Sequence, residues 1–241
     1  MKTTFKKQFG VLMLSLLFVS LSCISGYSED KTKQNYNLDG FTGIELAVPG
    51  NLQLTQSNHY SVNIDASARA LEIIVVEISG DNLVIRTKRG ENLRSRDGKI
   101  KIHVTMPTIK HLGVAGSGNI NSSNPIRTES LSVRVAGSGN INVPLSEISS
   151  LNAKVAGSGD ITLLGETMAQ DASVSIAGSG NVKAREIVFS EAQAKVTGSG
   201  SIYINVADNL TSRVAGSGDI IYSGNPLVDT KISGSGSVRN R

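Results

Sequence analysis

The tripeptide Gly-Ser-Gly occurs seven times in this 241-residue chain, at intervals of 18 to 21 residues. A fixed period of this length is typical of solenoids, in which each repeat is one structural unit stacked on the next. The repeat therefore restricts the fold more than any other feature of the sequence. The glycines of the seven copies are Gly116, Gly118, Gly137, Gly139, Gly157, Gly159, Gly178, Gly180, Gly198, Gly200, Gly216, Gly218, Gly234 and Gly236.

The residues before each copy alternate between apolar and polar, which is the period of a β-strand with one buried face. Leu131, Val133 and Val135 form such a set before the second copy. The same inward positions are predicted to be filled by Val228 and Ile232 in the last repeat. A second alternation follows each copy, so every repeat is predicted to contain a strand, a sharp corner, a second strand and a return loop.

These patterns predict an all-β fold, a right-handed parallel β-helix with rungs of about 20 residues. Equivalent strands would pair in parallel at about 4.8 Å per rung. Glycine suits the corner because the backbone there needs a positive φ, or because successive rungs come too close for a Cβ atom. The right-handed sense is predicted because parallel crossover connections strongly prefer it.

Several segments resemble the head GIN domain family, which is labelled putative auto-transporter adhesin and occurs on bacterial envelope proteins. They are residues 41–45 (FTGIE), 83–88 (LVIRTK), 99–107 (KIKIHVTMP) and the recurring Val-Ala-Gly-Ser-Gly-Asn/Asp-Ile. The resemblance extends over residues 36–241. It implies a right-handed β-helical protein of the envelope with an adhesin-like role.

The first 22 residues are typical of a secretory signal peptide, because three lysines precede an apolar run over residues 11–21. This run is too short for a transmembrane helix, which needs about 20 apolar residues. Cys23 is the only cysteine and lies where the apolar run ends, so it is predicted to be the site of lipid attachment. Ordinary cleavage near Ser25 or Gly26 is the alternative.

The rest of the chain divides into three predicted parts. Residues 23–35 are polar and charged, which is typical of a flexible tether. Residues 36–108 contain strand-like runs without the tripeptide, and we interpret them as irregular opening rungs that cap the solenoid. A separate small β-sandwich is the alternative for this segment. Residues 109–241 form the regular solenoid of seven repeats.

The overall charge argues against a nucleic-acid partner. The whole chain carries a formal net charge of +4, but three of its 24 basic residues lie in the predicted signal peptide and none of its 20 acidic residues does. The exported chain would therefore carry 21 basic and 20 acidic residues, a net charge of +1. Such a balance gives no bulk attraction to nucleic acid.

One column of the predicted stack is always small and polar. It could bind a cation, or it could form a structural ladder in which the side chains bond to one another and to the corner backbone. We favour the structural ladder because two carboxylates are too few for a hard cation such as Ca²⁺. The column consists of Asn119, Asn140, Asp160, Asn181, Ser201, Asp219 and Ser237.

A second column is mostly basic and is predicted to face outwards, since it alternates with the inward valines. It could be a binding strip for an anionic polymer or for lipid headgroups. The alternative, which we favour here because the exported chain is nearly neutral, is that its long charged side chains shield the sheet and prevent edge aggregation. The candidate strip consists of Arg134, Lys154, Lys195, Arg213 and Lys231, with Gly113 and Ser175 at the two remaining positions.

The sequence predicts no enzyme, no cofactor and no metal site. His59, His103 and His111 are the only histidines, and none shares metal-ligand spacing with a cysteine or a carboxylate cluster. No Gly-x-x-x-x-Gly-Lys loop follows any copy of the tripeptide. The carboxylates of the repeats are scattered, with no pair assigned to one face, and the chain has no tryptophan to stack on sugars.

These observations predict a non-enzymatic cell-envelope protein, an adhesin-like binding module that presents a rigid β-helical face. Its partners would be a glycan, lipid headgroups or an envelope protein, and Cys23 would anchor it to a membrane if acylated. We expect export to the periplasm or outer membrane. A structural spacer or assembly scaffold is the alternative, and a polysaccharide-active β-helix enzyme ranks third.

Overall fold

The computed structural model describes residues 31–94 and 97–241. Within these residues the chain forms twenty β-strands and one short helix. The strands build a β-solenoid of about six turns of stacked, parallel coils. The prediction of an all-β parallel solenoid is confirmed, and the right-handed sense stays a prediction.

The opening half of the chain contains seven strands and the helix, in an order that mixes parallel and antiparallel pairing. The elements are β1 (Lys31–Tyr36), β2 (Gly43–Ala47), β3 (Asn51–Gln56), β4 (Ser61–Ser67), α1 (Ala68–Ile73), β5 (Ile74–Ser79), β6 (Asn82–Thr87) and β7 (Lys101–Met106).

The regular half contains thirteen strands, several of which bend and run through more than one side of a turn. They are β8 (His111–Gly116), β9 (Asn119–Ser122), β10 (Ile126–Arg127), β11 (Ser130–Gly137), β12 (Asn140–Glu147), β13 (Ser150–Gly157), β14 (Ile161–Leu164), β15 (Thr167–Gly178), β16 (Asn181–Gly198), β17 (Ser201–Gly216), β18 (Asp219–Ser223), β19 (Leu227–Gly234) and β20 (Ser237–Asn240).

Two long parallel ladders run along the regular half, one on each side of the glycine corner. Before the corner, Val135 of β11 lies opposite Val114 of β8 and Val155 of β13. After the corner, β9, β12, β14, β16, β17, β18 and β20 pair in the same parallel manner. A shorter third run pairs Phe189 with Ala169 and with Val206. Residues about twenty positions apart are therefore neighbours, as the repeat predicts.

The corners stack because each one binds the corner below it. In the second corner, Ser138 N–H and Gly139 N–H both donate to the carbonyl oxygen of Gly116, at 2.8 and 2.9 Å. The same pair of hydrogen bonds recurs at every later corner. Gly137 has φ +129°, and a Cβ on it would overlap the carbonyl oxygen of Gly116. From the second corner onwards, the first glycine is thus required by conformation and by space, whereas Gly116 in the first corner is required by conformation alone.

The second glycine of each corner is required by space alone. A Cβ on Gly159 would overlap the carbonyl oxygen of Gly139 and would lie 2.8 Å from Cγ1 of Val135. The rungs approach so closely here that no side chain fits between them.

The opening half continues the solenoid and shares its core. Strand β2 pairs in parallel with β8, and β3 pairs in parallel with β9. The outer strands of this half add antiparallel pairs, β1 with β4, β4 with β7, and β5 with β6. One cluster of buried apolar side chains runs without a break from Phe41 to Ile220.

The tether prediction is wrong for residues 31–35. Strand β1 lies antiparallel to β4, with Gln34 opposite Ile64. The pairing gives hydrogen-bond partners to the backbone groups on the edge of β4 that faces away from β7. Without β1, this edge would expose a row of unpaired N–H and C=O groups. Residues 23–30, the predicted signal peptide and Cys23 lie outside the described residues.

Helix α1 lies between β4 and β5. The side chain of Ser67 caps it by accepting a hydrogen bond from Ala70 N–H at 3.2 Å, and Ala70 and Ile73 are its buried residues. No helix among the described residues is long and apolar enough to cross a membrane.

Val228 and Ile232 occupy the predicted inward positions but are not buried. Their side chains in β19 are 40% and 44% exposed, whereas Leu210 and Val214 at the same positions of the preceding rung are 1% and 2% exposed. A rung buries its apolar side chains only between two neighbouring rungs. Strand β19 has β17 on one side and no strand on the other among the described residues.

Candidate functional site

The basic column lies in register on the outward side of the ladder that precedes the corners. Arg134 lies opposite Lys154, and Lys195 lies opposite Arg213. Ser175 lies between the two pairs, and Lys231 follows Arg213 at the end. The spacing of parallel strands places cations on adjacent rungs about 4.8 Å apart, and Lys154 and Lys195 about twice that distance apart. We call Arg134, Lys154, Lys195, Arg213 and Lys231 the cationic strip.

The columns on either side of the cationic strip have shorter side chains. On the corner side lies a column of small residues, which includes Ala136, Ala156 and Ala177. On the other side lies a polar column that includes Asn152 and Gln193 and ends at Asp229. The long cationic side chains beside the small column line a shallow groove of about 410 Å³ that runs along the rod.

The cationic strip is exposed and is not neutralised internally. All five of its side chains are exposed. Among residues 31–94 and 97–241, none of the five forms a salt bridge. Like charges at this spacing repel one another, and counterions or an anionic partner would relieve that repulsion.

The strip ends at a carboxylate that the sequence analysis missed. Register places Glu45 opposite Gly113, which precedes Arg134 in the column. A Cβ on Gly113 would overlap the Glu45 carboxylate, so the missing side chain makes room for it. The Nε2 atom of His111 lies 2.6 Å from Oε1 of Glu45. No sequence signal pointed to this contact, because 66 residues of the irregular half separate the two residues.

The small polar column forms the structural ladder that we favoured, except that Asp219 N–H donates to the carbonyl oxygen of Gly200 and not to the side chain of Ser201. The Oδ1 atom of Asn119 accepts from both N–H and Nδ2 of Asn140, at 3.1 and 3.0 Å. Asp160 N–H donates to Oδ1 of Asn140 at 3.0 Å. The ladder reaches one rung further than predicted, because Nδ2 of Asn119 donates to Oδ1 of Asn51 at 3.0 Å.

A charged member of this ladder offers a stability test. Oδ1 of Asp160 accepts from N–H and from Nδ2 of Asn181, at 2.8 and 2.9 Å. We expect Asp160→Ala to lower the free energy of unfolding by about 1 to 2 kcal/mol, because both donors lose a charged acceptor. Denaturant titration measures the change.

The matched control is Asp160→Asn, which keeps an Oδ1 acceptor of the kind that Asn140 provides one rung earlier. Asp160→Asn should lower the free energy of unfolding by less than half as much as Asp160→Ala does. The loss of the exposed Lys183 contact at 3.4 Å is common to both variants and contributes little. Equal destabilisation by the two variants would contradict the ladder.

Two carboxylates do share one face, which corrects the sequence analysis. Asp171 lies opposite Glu191, and both line an open polar groove of about 570 Å³ with Ser150 and Asn209. Both acids stand seven residues before a corner glycine, so counting back from the corner would have found them. Both side chains are exposed, whereas a general acid for glycoside hydrolysis needs a sheltered carboxyl group.

No group of three or more His, Cys, Asp or Glu side chains within the described part of the chain is arranged to hold a metal ion. His103 is exposed on β7, opposite Gln53 of β3. Among the described histidines, His111 is the one whose ring lies within salt-bridge distance of a carboxylate, that of Glu45.

The family described as "Putative auto-transporter adhesin, head GIN domain" matches residues 40–226. The chain belongs to this family. The expected resemblance is therefore confirmed over most of the chain, and the family description names an adhesin rather than an enzyme. Comparison with curated proteins found no match.

Solved structures share the fold of this head GIN domain. A putative adhesin from Bacteroides fragilis is 27% identical with a TM-score of 0.82, and the match covers 89% of this chain and 98% of that one. A putative lipid binding protein from Parabacteroides distasonis is 23% identical with a TM-score of 0.74 and the same coverage. A putative adhesin from Parabacteroides merdae is 20% identical with a TM-score of 0.70, covering 88% and 96%.

Proposed function

We propose that this head GIN domain is a non-enzymatic, adhesin-like binding module of the bacterial cell envelope, and that the cationic strip holds an anionic polymer of that envelope. The observation that carries the proposal is the strip itself, five exposed cations in one column without a salt bridge among the described residues. The family description and the 27% identical putative adhesin support the adhesin-like role.

The geometry of the strip favours a linear, repeating ligand. The cations follow the rod axis from Arg134 to Lys231, a span of five rung spacings or about 24 Å. The short side chains of the small column, such as those of Ala156 and Ala177, leave the groove beside the cations unfilled. An anionic chain lying in this groove would meet a cation at nearly every rung and would release the counterions of both partners.

The same chemistry suits a surface of anionic lipid headgroups, which attract basic residues by about 1 kcal/mol each. We favour the polymer because the cations form a single line along the rod, whereas a membrane contacts a broad patch. A lipid anchor at Cys23 would hold the rod at a membrane and leave this face free to bind in the envelope.

Replacement of all five strip residues by serine tests the proposal. We expect retention on immobilised dextran sulfate to weaken at least tenfold at low salt, because five charge contacts are lost. A second measurement compares binding of the unaltered protein to vesicles with and without phosphatidylglycerol. We expect the protein to bind these vesicles more weakly than it binds dextran sulfate. Binding to the vesicles but not to dextran sulfate would overturn the polymer assignment.

The matched control replaces five other exposed cations by serine and gives the same change in net charge. These residues are Lys88, Arg89, Lys99, Lys101 and Lys110. Retention of this control should stay within about twofold of the unaltered protein, because general charge attraction is weak for a nearly neutral protein. Unchanged retention of the strip variant would instead favour the structural spacer.

A further inference from the structure

Among the described residues, no strand covers the outer edge of β19, which carries apolar side chains at this end of the rod. Leu227 is 79% exposed, and the inward-facing Val228 and Ile232 are 40% and 44% exposed. Every residue of β19 is exposed, although β19 pairs along its whole length with β17. An edge of this kind can accept one more strand.

The sequence of β19 is complementary to itself in the antiparallel direction. If two copies of Leu227–Gly234 pair about Thr230, Asp229 of each copy lies opposite Lys231 of the other. The same register places Val228 opposite Ile232. Opposite charges and apolar residues facing each other across an antiparallel pair both stabilise the pairing.

We propose that β19 is a self-association surface whose occupant is the β19 edge of a second copy of this chain, in antiparallel pairing about Thr230. The interface is isologous, so the two Asp229–Lys231 pairs are equivalent by twofold symmetry. Val228 and Ile232 from both copies then cover each other, as Leu210 and Val214 are covered within the rod.

The alternative explanation of Asp229 and Lys231 is that they protect the edge. Charged residues on an exposed strand commonly prevent association by repelling another edge. That explanation needs charges that repel in the available registers, whereas here the twofold register pairs opposite signs on both sides of Thr230. The pairing also places the two cationic strips on the same side of the joined sheets, because the twofold axis stands perpendicular to the sheet.

Charge reversal with a mixing experiment tests the proposal. The protein is expressed from the full chain and purified in the form that the cells export, and sedimentation equilibrium measures self-association. We expect Asp229→Lys and Lys231→Asp each to raise the dimer dissociation constant at least tenfold, because each variant places like charges opposite one another. An equimolar mixture of the two variants should regain association near that of the unaltered protein, since opposite charges meet again.

Two controls make the result specific. The double variant Asp229→Lys with Lys231→Asp should associate as the unaltered protein does. Asp171→Lys makes the same charge change on the same face in the middle of the rod, and it should leave association unchanged. Thermal unfolding of each variant verifies the fold.

Three outcomes would overturn the proposal. The unaltered protein could remain monomeric up to its solubility limit, which would favour edge protection. The single variants could associate as tightly as the unaltered protein, which would place the contact elsewhere. The mixture could fail to regain association, which would exclude this register. The test involves no anionic ligand, so its result is independent of the function proposed above.

Discussion

Gly157→Val is expected to lower the free energy of unfolding by about 3 kcal/mol or more, because two penalties add. Gly157 has φ +131°, a conformation that a β-branched residue adopts only under strain. Its Cβ would also overlap the carbonyl oxygen of Gly137. That oxygen accepts the N–H groups of Ser158 and Gly159, so moving the rungs apart would break these bonds as well.

The same change at the end of the rod should cost less. Gly234 has φ +121°, and a Cβ on it would overlap the carbonyl oxygen of Gly216, so the local conflict is nearly identical. The difference lies in the number of neighbouring rungs, because in a single copy of the chain β19 can detach from β17 without opening a second interface. A middle rung can detach only by breaking contacts on both of its sides.

Denaturant unfolding of Gly157→Val, Gly234→Val and the control Thr197→Val measures these costs. Thr197 is exposed on the outward side of the same ladder, and valine there should change stability by less than about 0.5 kcal/mol. Equal costs at Gly157 and Gly234 would contradict a stacked rod in which the middle rungs depend on two neighbours.

Phe189→Ala is expected to cost about 3 to 5 kcal/mol, the range for removing a fully buried aromatic ring. Phe189 is 0% exposed and is one of only five phenylalanines in the chain. Its neighbours in register are Ala169 and Val206, which are too small to fill the space that the ring leaves. The rungs cannot close the cavity, because backbone hydrogen bonds fix their separation.

Phe189→Leu is the matched control, since it keeps most of the apolar volume and should cost less than about 2 kcal/mol. Denaturant unfolding distinguishes the two variants. A cost below about 1 kcal/mol for Phe189→Ala would show that the core collapses around the site, which is inconsistent with rigid rungs.

The regular half could be predicted because one local rule repeats there. The corner glycines mark the same position in every repeat. Counting residues from them gives the register of Arg134 with Lys154 and of Asn119 with Asn140. Alternation then assigns the inward and outward faces. The same rule failed at Val228 and Ile232, because alternation gives the direction of a side chain and not whether another rung covers it.

The strand pairing of the opening half could not be predicted in detail, because no repeated motif in its sequence marks which residues lie opposite each other. The antiparallel pairing of β1 with β4 depends on which edges remain free once the other strands have paired. The contact of Glu45 with His111 depends on the register of β2 with β8, which no tripeptide marks. Long-range register of this kind is a property of the assembled sheet and not of either strand.

The sequence separations of the ladder contacts also predict an order of assembly for the rod. Asn140 bonds to a residue 21 positions earlier, so a regular rung is complete soon after its own residues become available. Asn51 instead bonds to Asn119, 68 positions later. Short loops close faster than long ones. We therefore expect the opening half, although it is synthesised first, to complete its pairing only after strands in the middle of the chain have formed.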